Sequence, residues 1–277
     1  MAEQTVPVDG ISYYTLLEGP DDTPVILLVH ALMSNHRMWD STVKALHQAN
    51  YRTLRFDHIG HNKTPPPSDS NRSYSAEDIT HHMHQIVQSA TGQTNLKAVV
   101  GCSIGGALAL RYGMLYPTEV GSVVSLCPPG IKSLDVSKPL WSQRIEQFEM
   151  DVQDDSDSLC QMTVKRWLPG NRSHDKAVRA AALEHVKTCS LEGYKILADV
   201  IRGYDYDSEE ELEKLRDVRV LMVAGGKDGA VEADLLKDVA LRIPPKGAKF
   251  QLMEDTGHLP PMHHAEKFEK LLLAFLK

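Results

Sequence analysis

The sequence is poor in what a disulfide scaffold, a membrane protein or a polyanion binder would need. Only four cysteines occur in 277 residues, Cys102, Cys127, Cys160 and Cys189. They show neither C-x-x-C spacing nor the density of a disulfide framework, which fits a reducing, cytoplasmic setting. No apolar run approaches the roughly 18 residues a membrane span requires. Residues 1 to 10 are polar, include Pro7 and lack both a basic stretch and an apolar stretch, so no signal peptide is expected, and the last four residues carry no address signal. Basic residues are in deficit, with 30 Lys and Arg against 37 Asp and Glu and a net charge of −7. The charges are interspersed, which argues against nucleic acid or a membrane surface as partner and for a small molecule. Repeats and low-complexity tracts are lacking as well.

What is present is an ordinary globular composition, 42% apolar and 24% charged, long enough for one large α/β domain or two small ones. The chain is organised around residues 96 to 106. There an apolar, β-rich run ends at Gly101, Ser103 follows two residues later, and Gly105 and Gly106 open a helical segment. This is a G-x-S-x-G pattern in the context it requires, a sharp strand-to-helix turn that lifts a serine hydroxyl above the sheet edge. A Cβ at either flanking glycine would collide with the tight turn.

Around it, residues 11 to 17, 25 to 30, 51 to 57, 96 to 102 and 122 to 127 read as strands. Helical spacing appears at 37 to 50, from an N-capping Ser75 onward through Ile79, Met83, Ile86 and Val87, and at 104 to 116. The order of strand and helix predicts a doubly wound, mostly parallel sheet. Past Pro128-Pro129-Gly130 the alternation stops. Helical candidates follow at 138 to 151, 156 to 167, 173 to 188 and 191 to 202, and the sheet resumes with strands at 218 to 224 and 248 to 253 and helices at 231 to 242 and 262 to 276. The expected organisation is a core of residues 1–129 and 215–277 with a helical cap of residues 130–214 over the C-terminal edge of the sheet, where such sheets bind ligands.

A serine hydroxyl needs a histidine base and a carboxylate to orient it. In this architecture the acid and then the histidine follow the serine, each in a loop leaving a strand. Asp228 is the only carboxylate in Ala224-Gly225-Gly226-Lys227-Asp228-Gly229, and His258 the only histidine in Glu254-Asp255-Thr256-Gly257-His258. Glu254 and Asp255 are the fallback acids, too close in sequence to His258 for the usual geometry. The oxyanion needs two backbone N–H donors, assigned to Ile104 and, within one residue, Leu32.

Together these motifs resemble the α/β-hydrolase superfamily: the elbow, Asp228 and His258 in order, His30-Ala31 after one central strand and Asp57-His58-Ile59-Gly60 after the next. The likeness covers nearly the whole chain. Within it, residues 32 to 40 resemble the Leu-Gly-x-x-x-x-Met-Trp-Asp segment of 3-oxoadipate enol-lactonases. Lys165-Arg166-Trp167-Leu168 resembles their Arg-Trp-Phe, and Leu191-Glu192-Gly193-Tyr194 their Glu-Gly-Tyr. The sequence departs from that subgroup at Met33, where it has Gly, at Leu168, where it has an aromatic, and at Gly229-Ala230-Val231, where a proline usually follows the acid. The resemblance implies the α/β-hydrolase fold and attack on an ester or lactone through an acyl-enzyme, without cofactor or metal, as in an enol-lactonase or a polyketide-type lactonase. Carbon–carbon bond hydrolysis of vinylogous diketones uses the same triad, and a non-catalytic small-molecule receptor could keep the same fold; a homodimer is open as the state of association.

Trp141, Arg166 and Trp167 in the cap are candidates for lining the substrate site, Arg166 by pairing with a substrate carboxylate. His81, His82 and His84 point in different directions on their helix and are expected to be a solvated face rather than a metal site. His58 and His61 are expected to be structural, His263 and His264 to start a helix, and Cys102 to be buried behind the elbow.

Overall fold

A computed structural model describes residues 2–69, 71–244 and 248–277. Its centre is an eight-stranded sheet in the order β1-β2-β4-β3-β5-β6-β7-β8. The strands are β1 (Ala2–Val8), β2 (Ile11–Glu18), β3 (Val25–Val29), β4 (Arg52–Phe56), β5 (Ala98–Cys102), β6 (Ser122–Leu126), β7 (Arg219–Gly225) and β8 (Lys249–Met253). The pairings β1–β2 and β2–β4 are antiparallel and all the others parallel. Strands β3, β5 and β6 are buried at every position. That is why β3 and β5 read as unbroken apolar runs instead of alternating ones, and β6 as an apolar run interrupted only by Ser122 and Ser125.

The crossovers carry α1 (Asp40–Gln48), α2 (Ala76–Thr91), α3 (Ile104–Leu115) and, near the end of the chain, α9 (Ala233–Arg242), α10 (Pro260–His263) and α11 (Ala265–Leu276). Helix α1 packs on α11 and α2 on α3. The capping box that starts α2 is formed as the sequence indicates: Asp78 donates its backbone N–H to the Ser75 hydroxyl at 3.1 Å and its carboxylate accepts the Ser75 N–H at 2.8 Å. Between β6 and β7 lie five helices, α4 (Lys138–Gln153), α5 (Ser158–Trp167), α6 (Ser173–Val186), α7 (Leu191–Gly203) and α8 (Glu209–Glu213). Among the described residues no helix is long and apolar enough to cross a membrane.

Three expectations need correction. The sheet begins at Ala2, with a strand the composition of residues 1 to 10 concealed; Asp9 and Gly10 both take left-handed backbone (φ 51° and 81°) and close a β1–β2 hairpin of the Asp-Gly kind. The final helix is two, because Pro260 and Pro261 nucleate their own short turn and His264 breaks the run at φ −139°. His82 is not solvated. The unread hairpin covers it, with the Tyr13 hydroxyl 2.9 Å from Nδ1 and the Asp9 carboxylate 3.4 Å from Nε2, while His81 meets Tyr116 and His84 meets Glu119.

The helical insertion is fastened to the loop after β4 through backbone. Ser190 donates its N–H to the Gly60 carbonyl and Asn62 donates its own to Thr188, both at 2.8 Å. Gly60 and Gly193 touch so closely that a Cβ on Gly193 would sit 2.6 Å from the Gly60 oxygen. Gly193→Ala should therefore destabilise the protein by about 1–3 kcal/mol in urea unfolding, as overpacking does, although alanine is the better helix former by about 1 kcal/mol. Gly203→Ala on the same helix, where a Cβ meets nothing within 4 Å, is the control and should be neutral or stabilising.

Candidate active site

Strand β5 runs straight into α3, and the reversal leaves no clearance. A Cβ on Gly101 would lie 1.9 Å from the Gly105 carbonyl oxygen, and one on Gly105 2.3 Å from that of Val29. Ser103 stands at the tip with φ 57° and ψ −124°, a backbone conformation costly for a residue with a side chain. Its N–H is tied to the Leu126 carbonyl at 2.8 Å, and its own carbonyl accepts from Gly106 and Ala107. Cys102 is fully buried beside it, its thiol 3.4 Å from the His258 carbonyl.

The loops after β7 and β8 supply Asp228 and His258. The His258 Nδ1–H donates to Asp228 Oδ2 at 2.7 Å, and the other carboxylate oxygen accepts the N–H groups of Ala230 and Val231 at 2.7 and 3.3 Å. Both side chains are buried. Asp255 instead pairs with Lys227 at 2.7 Å. With Nδ1 protonated and committed to Asp228, Nε2 is the acceptor face of the ring, and it has no hydrogen-bond partner among the described residues. Ser103 and His258 line one cavity of about 70 Å³, together with Leu32, Met33, Pro129, Trp141, Arg144, Thr163, Arg166, Trp167, Tyr194, Ile201, Ala230 and Val231. A larger and more open groove bordered by Gln161, Lys165 and Asn171 holds none of these residues. Thus all three cap candidates, Trp141, Arg166 and Trp167, meet Ser103 and His258 in the same cavity.

Helix α5 grips the histidine loop directly. The Trp167 ring stacks on His258 with centroids 5.7 Å apart, and its carbonyl accepts the His258 N–H at 2.8 Å. A second acid–imidazole pair braces the loop from α6: His263 donates from Nε2 to Asp175 at 2.9 Å and accepts the Gly257 N–H on Nδ1 at 2.8 Å. The Arg172 guanidinium, with His263, holds the Asp175 carboxyl below the usual carboxylate range. Sequence reasoning placed His263 only as a helix start and passed over Asp175. No motif marks them, because they meet across 88 positions.

The loop after β3 carries Leu32 and Met33. Met33 has left-handed backbone, φ 63°, at the position where the resembled subgroup has glycine. Its N–H donates to His61 Nε2 at 3.1 Å. The Leu32 and Ile104 amides have no acceptor among the described residues, so of the two neighbouring amides it is Leu32's that is available to a ligand. His61 can accept because its Nδ1–H is spent on the Ile59 carbonyl at 2.8 Å. Burial pushes its pKa down to about 4, that of His58 to about 3 with help from His61, and that of His30 far below normal. These three rings form a neutral cluster under the loop.

Among the described residues two groupings have donor atoms close enough to share a metal: His174, His263 and His264, and Cys127, Asp228 and His258. Neither offers three open ligands. Both ring nitrogens of His263 are in use, and Asp228 and His258 are bonded to each other.

A sequence model of the alpha/beta hydrolase fold family matches residues 24–265. Monoacylglycerol lipase ABHD6 of Bos taurus is 23% identical over 290 residues, covering 95% of this chain and 78% of its own. A putative 2-succinyl-6-hydroxy-2,4-cyclohexadiene-1-carboxylate synthase of Bacillus subtilis is 22% identical over 276 residues, covering 97% and 96%. The crystal structure of the enol-lactonase from Burkholderia xenovorans LB400 superposes with a TM-score of 0.84 at 21% identity over 98% of this chain and 99% of that one. The esterase from Exiguobacterium antarcticum gives 0.85 at 20% identity over 100% and 99%. At such identities the structural likeness speaks for the fold.

The neutral histidine cluster makes stability depend on pH. The unfolded chain protonates these rings near pH 6.5 while the folded chain does so only near 4 or 3. Between these values the unfolded state binds more protons, so stability falls as pH falls. Urea midpoints should be flat above about pH 7 and drop from about pH 6.5 toward 4, on the order of 1 kcal/mol per pH unit for each ring involved. His58→Gln should flatten the slope, and a midpoint unchanged between pH 7 and 5 would contradict the burial argument.

Proposed function

The chain belongs to the α/β-hydrolase family, and from that premise we propose that it is a serine hydrolase of small carboxylic esters or lactones. The observation that carries the reading is the 2.7 Å hydrogen bond from His258 to Asp228, with the imidazole lining the same cavity as a serine in strained backbone. Ser103 Oγ attacks the carbonyl carbon while His258 Nε2 takes its proton. Asp228 holds the ring in the tautomer that leaves Nε2 free and stabilises the imidazolium that forms. The oxyanion is held by the N–H groups of Leu32 and Ile104, the latter at the N-terminus of α3, where helix amides and dipole both favour negative charge. The imidazolium then protonates the leaving oxygen, giving an acyl-enzyme. A water deprotonated by His258 releases the acid and restores Ser103.

In this reading residues 130–214 act as a cap that closes the cavity, and Trp141, Arg166 and Trp167 contact the substrate. The names carried by the similar proteins, lipase, esterase and enol-lactonase, agree with ester or lactone cleavage. His61 is a positioning residue: by accepting the Met33 N–H it fixes the loop that presents the Leu32 amide.

The wild-type protein should hydrolyse 4-nitrophenyl acetate and be labelled by a fluorophosphonate, and Ser103→Ala should abolish both. Asp228→Asn should retain the fold and lose about 10³–10⁴ in kcat, the cost of the wrong imidazole tautomer. Turnover that survives Ser103→Ala would refute the nucleophile assignment. A wild-type protein that neither labels nor turns over esters and lactones would point to a receptor on this fold or to carbon–carbon hydrolysis, which a panel of diketones then separates.

A further inference from the structure

The cavity shared by Ser103 and His258 has a closed end and an open one. Ser103 stands at the tip of β5, and the sheet order sets β3 on one side of that strand and β6, β7 and β8 on the other. The loops after β7 and β8 bring Ala230, Val231 and His258 to one end, where Ala230 is exposed and Val231 half-buried. The loop after β3 brings Leu32 and Met33 to the other, where Met33 meets Thr163 of α5. These three residues are 5%, 1% and 2% exposed, so this end is shut.

The chemistry orients an ester between the two ends. The leaving oxygen takes its proton from His258 Nε2, which sets the alcohol part at the open end. The acyl carbon, bonded to the same carbonyl, points away from that ring and toward Met33. Room there is scarce: the whole cavity measures about 70 Å³, against roughly 300–1,000 Å³ for a pocket that encloses a drug-sized ligand. The Met33 side chain occupies this end although its backbone, at φ 63°, suits glycine and penalises any residue with a Cβ. The Thr163 hydroxyl donates to the Met33 thioether at 3.9 Å, so the side chain is held from across the cavity by the helical insertion. A long, unbranched thioether fills such an irregular space closely.

We propose that the Met33 side chain is the stop of the acyl pocket, so that this enzyme takes esters of short acids: acetyl and propionyl groups fit in front of it and hexanoyl does not. The inference rests on the serine-hydrolase reading, from which it takes the direction of the acyl group, and goes beyond it by assigning acyl length to one residue.

The test compares 4-nitrophenyl acetate with 4-nitrophenyl hexanoate, Ser103→Ala serving as blank. The wild-type enzyme should favour the acetate by about tenfold or more in kcat/KM, since a single methylene in an apolar pocket is already worth that much. Met33→Gly should raise the hexanoate-to-acetate ratio by about tenfold or more. Met33→Leu, which keeps the volume, should leave the ratio as in the wild type. Glycine retains the N–H that His61 accepts, and because the readout is a ratio, a uniform loss from a looser loop cancels. Should Met33→Gly fail to fold, Met33→Ala carries the same expectation. Ethyl and hexyl acetate, followed by acid release, place the extra length at the open end, and their ratio should be the same in Met33→Gly and wild type. A response in this alcohol series in place of the acyl series would overturn the stop. So would an unchanged hexanoate-to-acetate ratio in Met33→Gly with acetate still hydrolysed, and that result would leave the hydrolase standing. A wild-type protein that hydrolyses none of these esters would overturn the hydrolase reading, and the inference with it.

Discussion

Everything at the site depends on one steric constraint, the absence of room around the turn between β5 and α3. Glycines at 101 and 105 let the Gly105 carbonyl and the Val29 carbonyl approach to distances no Cβ would permit, and only that approach lets α3 start immediately after the strand. Ser103 absorbs the geometry as a left-handed residue. The strain is affordable because the flanking elements are among the most buried in the molecule: every residue of β5 and of α3 through Met114 is buried. A large apolar core over-determines the turn and holds the serine in a conformation it would not choose.

From that fixed point the remaining groups are placed by two kinds of bracing. On the sheet side, the β7 and β8 loops exit at adjacent positions because the strands are parallel neighbours, which brings Asp228 and His258 together without any contact between them in sequence. On the insertion side, the same histidine loop is gripped by Trp167 through ring stacking and a backbone bond, and by Asp175 through His263. The loop carrying Leu32 and Met33 is held by His61, whose neighbours Gly60 and Asn62 are bonded to the insertion at Ser190 and Thr188. The helical insertion is therefore part of the scaffold that orients the site as well as a wall of its cavity.

The sheet, the order of its parallel strands and the helical insertion were legible because each rests on local pattern: fully apolar runs at β3 and β5, a mostly apolar one at β6, helical spacing in α2, and glycines at the elbow. The meeting of the Asp228 and His258 loops was legible because topology dictates which strand ends are neighbours. The first strand was hidden because Ala2–Val8 is an edge strand with exposed, polar positions, and its only strong signal, Asp9-Gly10, is a turn rather than a strand. The burial of His82 followed from that omission. Asp175, His263 and Arg144 were not legible at all. Their importance lies in contacts between distant segments, and an arginine on a polar helix looks the same whether it meets solvent or a cavity.

Two local rules are broken in this protein within one cavity of about 70 Å³. Ser103 and Met33 take left-handed backbone without being glycine, asparagine or aspartate, and Arg144 and Arg166 are two like charges with no carboxylate partner among the described residues. Elsewhere the positive-φ residues are, apart from Cys127, aspartate or asparagine, which tolerate that conformation, the α2 box is complete and the buried Arg55 is matched by Glu18 and Asp40. Costs of this kind, each on the order of 1–3 kcal/mol for strain and more for a buried charge, would be removed by selection for stability wherever they did nothing. Their meeting beside a serine hydroxyl and an imidazole supports the proposal that this cavity is where stability is given up for chemistry.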